Sequence, residues 1–565
     1  MPIKRTILLG ENLIQKGLIS RRELDIGLKE HKKTGQFLGT SLVKLGFIKE
    51  GELYPVLSEQ LKLSYLKLKE ITIDPAVIQK LPAKYAFHYK LIPVKFENDK
   101  LTVAVSDPLD LRTIDDLRLL LSLDVVSVLA TESDIYEAIR KYYGIGGETI
   151  EKIMDTTELT KELTLSTSKT EDVADLAEDA SIIKFVNQIL VQAVKDRATD
   201  IHIEPYEDEL KVRYRIDGVL YDISVPSNIK YFQAAIVSRI KIMSNLDIVE
   251  RRLPQDGRIK IKVGQEELDL RISILPTQFG ESVDIRLLSG KMLYSLKNLG
   301  LSPSDISILG KLIEKPYGII FVTGPTGSGK TTTLYACLSK IDKKDKKIIT
   351  IEDPIEYQLK GVTQIQIHPA IRLSFATGLR SMLRHDPDIM MVGEVRDFET
   401  LEITIRVALT GHLVFSTIHT NDAAGAVARL LDMGAEPYLV ASSVECFIAQ
   451  RLVRLICPKC KTAVKPNKEV LVEFGIKEDV NNLTIYEGKG CESCKFTGYR
   501  GRTGIYEFLV MNEEIRDLII HRFSSDQIKK KALELGMHTL RMDGWEKVKK
   551  GITTLDEVIR VTKED

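Results

Sequence analysis

The spacing of apolar positions changes several times along this chain, and each change marks an element. In the first stretch, apolar residues recur at helical spacing and then the whole pattern repeats. Leu9-Gly10, Leu13, Gly17, Ile19, Leu24 and Leu28 return as Leu38-Gly39, Leu42, Gly46, Ile48, Leu53 and Leu57, always 29 residues on. A fixed offset signals one supersecondary unit used twice. Each unit predicts a helix, a glycine-marked turn and a second helix. From about Ile71 to Tyr143, strand-like runs (Leu91-Ile92-Pro93-Val94 and Leu101-Thr102-Val103-Ala104-Val105) mix with helical ones. Residues 144–179 turn polar and largely acidic, with a Ser/Thr cluster at 164–168. Such a stretch lacks the apolar material for a core and is expected to be a linker, partly disordered.

Helical patterning resumes at Ile182 and gives way to period-two alternation. Asp200-Ile201-His202-Ile203 and residues 210–216 read as strands, with a turn at Asp217-Gly218. Further strands are predicted at 258–263 and 268–274. From 318 to about 450, strands and helices alternate, the pattern of a parallel sheet flanked by helices. An apolar helix is expected around Cys446, and two or three helices near the end of the chain. The domains expected are therefore 1–145, a linker at 146–178, 179–298, and 299–565.

Charge narrows the function classes. Lys+Arg and Asp+Glu both total 80 in 565 residues, so the formal net charge is zero. Nucleic-acid binders draw affinity from neutralising phosphates and usually carry a basic excess. No nucleic-acid partner is expected. The sequence holds no apolar run of about 18 residues, so no membrane-spanning helix is predicted. Met1-Pro2-Ile3-Lys4-Arg5 is followed too soon by Gly10-Glu11-Asn12 to be a signal peptide. The expected location is the cytoplasm.

The strongest chemical signal is Gly324-Pro325-Thr326-Gly327-Ser328-Gly329-Lys330-Thr331, with Thr332 after it. It follows the apolar run Ile319-Ile320-Phe321-Val322 and opens a helix. Glycines let successive backbone N–H groups curl around phosphate oxygens, and the helix N-terminus adds partial positive charge. Lys330 is expected on the β- and γ-phosphates of ATP, and the Thr331 hydroxyl on Mg²⁺. Two apolar strands downstream end in acid. Asp388-Ile389-Met390-Met391-Val392-Gly393-Glu394 nominates Glu394 for the Mg²⁺ shell or the attacking water. Residues 348–356, where Ile349-Thr350-Ile351 runs into Glu352-Asp353-Pro354-Ile355-Glu356, nominate Glu352 in the same way. His412 and His419 flank the run Leu413-Val414-Phe415 and suggest a γ-phosphate sensor.

Cys457-Pro458-Lys459-Cys460 and Cys491-Glu492-Ser493-Cys494 form two C-x-x-C knuckles. Four thiolates suit tetrahedral zinc and leave no open position, so a structural Zn²⁺ site is expected within a 457–494 insertion. Cys337 and Cys446 read as core residues.

Taken together, the P-loop, the 352–356 acidic box, the 388–394 strand and the 410–420 histidine segment resemble the secretion-superfamily ATPases, in that family's order. These proteins power type IV pilus assembly and type II secretion. Residues 198–205 and 253–258 resemble the family's second N-terminal domain, and the tetracysteine insertion is similar to that of the assembly and secretion motors. The resemblance implies an α/β multidomain protein. Its RecA-like P-loop NTPase core would follow a PAS-like α+β domain and a mainly helical N-terminal module. It further implies a homohexamer docked on an inner-membrane platform protein, hydrolysing ATP to extend pili or to drive type II secretion. His419 would sense γ-phosphate. Arg271 and Arg286 match the family's phosphate-reaching arginines, and Arg380, Arg384 and Arg396 match arginines near the second acidic strand.

The N-terminal repeat is similar to the family's cyclic di-GMP module, which implies a site at Leu9, Gly10, Leu13, Leu38, Gly39, Leu42 and Gln60. The sequence departs from that pattern. Leu8 and Phe37 stand where the family has arginine, and His31 where it has glutamine. A docking domain for the platform protein is the alternative reading of this module. Beyond it, a nucleic-acid translocase on the same core and a nucleotide-gated scaffold stay open.

Overall fold

A computed structural model describes residues 9–34, 37–61, 63–107, 111–144, 146–147, 180–263, 266–289, 295–341, 344–466, 471, 474 and 483–562. The expected linker, apart from residues 146 and 147, lies outside the described residues. The chain divides into two compact units, Met1–Leu288 and Ser289–Asp565.

The first unit opens with the repeat in three dimensions. Helices Leu9–Gln15 and Arg21–Thr34 form one copy, Leu38–Lys44 and Glu50–Leu61 the other. The two copies pack alike. A Cβ on Gly10 would come within 2.5 Å of Leu24, and a Cβ on Gly39 within 2.9 Å of Leu53. The turns also match, with Gly17 and Gly46 at φ 71° and 76°, a left-handed conformation that suits glycine. Behind this repeat comes a small sheet of order β1-β2-β3, made of β1 (Leu91–Glu97), β2 (Lys100–Val105) and β3 (Asp124–Leu129).

A larger sheet follows, of order β6-β5-β4-β9-β8-β7. Its strands are β4 (Ala198–Pro205), β5 (Leu210–Ile216), β6 (Val219–Ile223), β7 (Gln255–Val263), β8 (Glu266–Thr277) and β9 (Gly280–Ser289). Alternating residues of β4, such as Ile201 and Ile203, join Ile182, Phe185 and Ile189 of helix Ala180–Lys195 in one core. The same helix is fastened by the buried Tyr214 hydroxyl, which donates to the Ile189 carbonyl at 2.7 Å. This is the α+β domain expected before the ATPase core.

The second unit is built on a seven-stranded sheet of order β12-β11-β13-β14-β10-β15-β18. Its strands are β10 (Gly318–Thr323), β11 (Ile348–Glu352), β12 (Thr363–Gln366), β13 (Ile389–Val392), β14 (Leu413–Ile418), β15 (Val444–Ile456) and β18 (Tyr499–Val510). A separate pair, β16 (Lys461–Val464) and β17 (Ile485–Gly488), lies between β15 and β18 in sequence. The pairings from β12 through β15 are parallel, and β15 pairs β18 antiparallel. Every residue of β10, β11, β13 and β14 is buried, as expected where helices cover both faces of a parallel sheet.

Two expectations are corrected here. Cys446 sits in strand β15, not in a helix. Residues 444–451 are all buried, so the strand shows no alternation, and a short apolar run cannot be assigned by period alone. Among the described residues, the last part of the chain also holds four α-helices, Glu513–Ile520, Ser525–Glu534, Leu540–Lys549 and Leu555–Val561, where two or three were expected. No helix of the described residues is long and apolar enough to cross a membrane.

Candidate functional site

The carboxyl ends of β10, β11, β13 and β14 all open on one edge of the sheet, because their pairing is parallel. In open α/β sheets that edge is where ligands bind. The loop after β10 is the glycine-rich segment. Gly324, Gly327 and Gly329 hold φ of 149°, 78° and 90°, which side-chain-bearing residues rarely adopt. Gly324 also has no room for a Cβ, which would lie 2.6 Å from the Gln450 carbonyl oxygen and 2.6 Å from the Ser328 hydroxyl. The crest of the loop, Pro325-Thr326-Gly327, is exposed. Thr331 and Thr332 are half-buried in the first turn of helix Lys330–Lys340.

Lys330 is buried and folds back over the loop. Its Nζ donates to the carbonyl oxygens of Gly324 at 2.7 Å and Pro325 at 3.0 Å. Burial pushes its pKa down to about 8, with Glu394 opposing the shift and Arg451 adding to it. The Ser328 Oγ is buried with no hydrogen-bond partner. A desolvated ammonium and an unsatisfied hydroxyl in one backbone cradle are what a phosphate would satisfy, so these residues fit the triphosphate of ATP.

The two acidic strand ends differ. Glu394, two residues past β13, lies between two nitrogen groups: Arg396 Nη2 is 2.8 Å from Oε1 and His419 Nε2 is 3.3 Å from Oε2. Glu352, the last residue of β11, is 2 % exposed. Its carboxylate accepts hydrogen bonds from the Tyr335 hydroxyl, from Thr350 Oγ1 at 2.5 Å and from Gln364 Nε2 at 3.0 Å. The structure thus brings Lys330, Glu394 and His419 together, and holds Glu352 in a separate buried network. His412 is not part of this group. Its Nδ1 lies 3.0 Å from the Val407 carbonyl and 3.1 Å from Thr410 Oγ1, at the end of helix Phe398–Leu409.

The loop after β14 is tied to the P-loop strand. Thr420 N–H donates to Thr323 Oγ1 at 2.9 Å, and the two threonine hydroxyls lie 2.7 Å apart. Arg451, 9 % exposed, donates to the Asn421 carbonyl at 2.7 Å and to the Gln450 carbonyl at 3.1 Å. Gln450 in turn accepts from Thr333 Oγ1 at 2.8 Å. These contacts were missed in the sequence. The available signal was Gln450-Arg451, an adjacent polar pair that interrupts the apolar run of strand β15.

Among the other arginines, Arg380 pairs with Glu399 at 2.5 Å, and Arg384 Nη1 donates to the Arg380 carbonyl at 3.0 Å. Arg271 and Arg286 belong to β8 and β9 of the first unit. There the Arg286 Nε donates to Asp200 Oδ1 at 2.9 Å. In the repeat, Gly10, Leu13, Gly39 and Leu42 are buried and build its core, while Leu9, Leu38 and Gln60 are half-buried.

Cys457, Cys460, Cys491 and Cys494 converge, with sulfur atoms all within 4.8 Å of one another. The Cys457–Cys491, Cys460–Cys494 and Cys491–Cys494 pairs are 3.8, 3.8 and 3.7 Å apart. Disulfide sulfurs would be at about 2.05 Å. Thiolates about 2.3 Å from a tetrahedral zinc lie about 3.8 Å apart. The four cysteines therefore fit a zinc ion. Cys337 and Cys446 are fully buried, and burial pushes the Cys337 thiol up to about 12.

Comparison with known proteins adds to this geometry. The type II/IV secretion system protein family matches residues 175–560, and the MshEN domain matches residues 61–149, downstream of the repeat. The type IV pilus assembly ATPase PilB of Myxococcus xanthus is 45 % identical, over 99 % of this chain and 99 % of that protein. The type II secretion system protein E of Xanthomonas campestris pv. campestris is 41 % identical, over 98 % and 99 %. Among solved structures, the Legionella pneumophila ATPase DotB shares the fold, with a TM-score of 0.51 at 21 % identity over 68 % of this chain and 96 % of that one.

Proposed function

This chain belongs to the type II/IV secretion system protein family, and we propose that it is a hexameric cytoplasmic motor that extends type IV pili. It is an ATPase. The observation that carries the motor reading is the convergence of Lys330, Glu394 and His419 on one edge of the sheet. Bound ATP and Mg²⁺ supply the phosphoanhydride and the neutralising charge. Lys330 holds the β- and γ-phosphates, and Thr331 and Glu394 hold the metal. Glu394, the more open carboxylate, orients the attacking water. Glu352, fixed by its own hydrogen-bond network at the carboxyl end of β11, contributes the second carboxylate of that sheet edge. His419 reads the γ-phosphate through its link to Glu394. Arg271 and Arg286 neutralise charge that develops in the transition state.

The zinc ion is structural and stabilises the 457–494 insertion. The N-terminal module, 1–145, docks the motor on an inner-membrane platform protein. Cyclic di-GMP is its proposed ligand, and calorimetry on the full chain showing no binding would remove that role.

Type II secretion is the second reading, supported by the full-length similarity to the Xanthomonas protein. Deletion in the native host separates the two. Loss of surface pili with normal enzyme secretion is expected; the reverse overturns the pilus reading.

A further inference from the structure

The buried network around Glu352 reaches the P-loop helix through one side chain. Tyr335 lies on helix Lys330–Lys340, five residues after the P-loop lysine, and its hydroxyl donates to Glu352 Oε2. Burial, with the Glu352 charge beside it, pushes the Tyr335 pKa well above its ordinary value, so the phenol stays protonated and remains a donor. Gln364 of β12 is the other long-range member. Its Nε2 donates to Glu352 at 3.0 Å and to the Tyr357 carbonyl at 2.9 Å, and its Oε1 accepts from Leu359 N–H at 2.7 Å. Thr350, on the same strand as Glu352, completes the set.

Three donors hold the buried Glu352 carboxylate, Tyr335 on Oε2 and Thr350 and Gln364 on Oε1. They fix both oxygens and so fix the direction of the charge. Strand β11 alone does not set that direction, because the side chain has free torsions beyond its backbone. Of the three donors, only Tyr335 belongs to the element that also carries Lys330 and Thr331.

We infer that Tyr335 is a positioning residue for the reaction: it locks the Glu352 carboxylate to the P-loop helix, so that the acidic end of β11 moves with the phosphate-binding turn. This inference rests on the role proposed above for Glu352. It makes the network a part of turnover and not only of folding. Nucleotide affinity comes from the loop backbone, Lys330 and Thr331, whereas the Tyr335 hydroxyl donates to Glu352. Removing the hydroxyl should therefore reach the chemical step and leave binding alone.

The test is steady-state ATPase kinetics of the full chain carrying Tyr335→Phe, Glu352→Gln, or both. Phenylalanine keeps the ring that fills the core. A hydrogen bond to a charged group contributes enough that kcat of Tyr335→Phe should fall between about tenfold and a hundredfold. KM for ATP should stay within about twofold, a split that general loosening of the core would not produce. In the Glu352→Gln background, adding Tyr335→Phe should change kcat by less than about twofold, because the two side chains act as one unit. A kcat of Tyr335→Phe within about twofold of wild type, with Glu352→Gln strongly impaired, overturns the inference and leaves the role of Glu352 standing. Full turnover by Glu352→Gln overturns both.

Discussion

Two neighbouring strands of the same sheet lead into glutamate, one at its last residue and one two residues past its end, and the protein holds the two carboxylates by different means. Glu394, past the end of β13, is held by an ion pair with Arg396 and a contact with the His419 imidazole. Glu352, at the end of β11, is held by neutral donors, the Tyr335 and Thr350 hydroxyls and the Gln364 amide. Ion pairs near solvent are loose and exchange partners readily. A buried carboxylate with full neutral hydrogen bonding has one orientation and is costly to disturb. Glu394 is therefore the carboxylate suited to trade partners as nucleotide arrives and leaves. Glu352 is suited to stay put.

The largest test of this contrast is Glu394→Gln, with Lys330→Ala as its partner across the phosphate cradle. Each should lower kcat by about a hundredfold to a thousandfold, the range seen when one electrostatic stabiliser is removed. Near-wild-type turnover in either would place the chemistry elsewhere. Next comes His419→Ala, which strips the imidazole neighbour from Glu394. A loss of about tenfold to a hundredfold in kcat is expected, and no loss would show that His419 only packs.

A smaller effect should appear with pH. Burial pushes the Lys330 pKa down to about 8, so above pH 8 ATP binding must draw a proton from solution. Nucleotide Kd measured by calorimetry should weaken about tenfold between pH 7 and pH 9, with net proton uptake on binding. The sign is fixed: a lowered lysine pKa leaves the neutral form in excess at high pH, and phosphate restores the charge. Lys330→Arg should flatten the dependence. The smallest effect belongs to the zinc knuckles, which touch neither carboxylate. Metal analysis should find about one zinc per chain, and Cys457→Ser should lower it. That variant should leave nucleotide Kd within about twofold of wild type, which sets the scale for indirect effects at the site.

The sequence made one of these carboxylates easier to understand than the other. Glu394 and Glu352 both stand out as acids closing apolar runs, and the P-loop is legible because its glycines and lysine are consecutive. The partners of Glu394 are also near in the motif order, since Arg396 is two residues away and His419 closes the next strand. The partners of Glu352 are not. Tyr335 and Gln364 come from a helix and an edge strand that only the fold brings together, and neither has a sequence pattern of its own. Arg451 was hidden for a different reason. Strand β15 is buried on both faces along its first eight residues, so no alternation separates strand from helix there. The repeat and the tetracysteine pattern were readable because a fixed offset and a fixed ligand spacing survive without knowledge of the fold.

The duplicated contact at the start of the chain carries a consequence for descent. Gly10 against Leu24 and Gly39 against Leu53 are the same fit inherited twice. Neither glycine can acquire a methyl group unless its leucine retreats. In related chains the members of each couple should be exchanged jointly, while the two couples, once copied, drift on separate clocks. A lineage that has altered one copy and kept the other would carry a record of when the halves stopped being interchangeable.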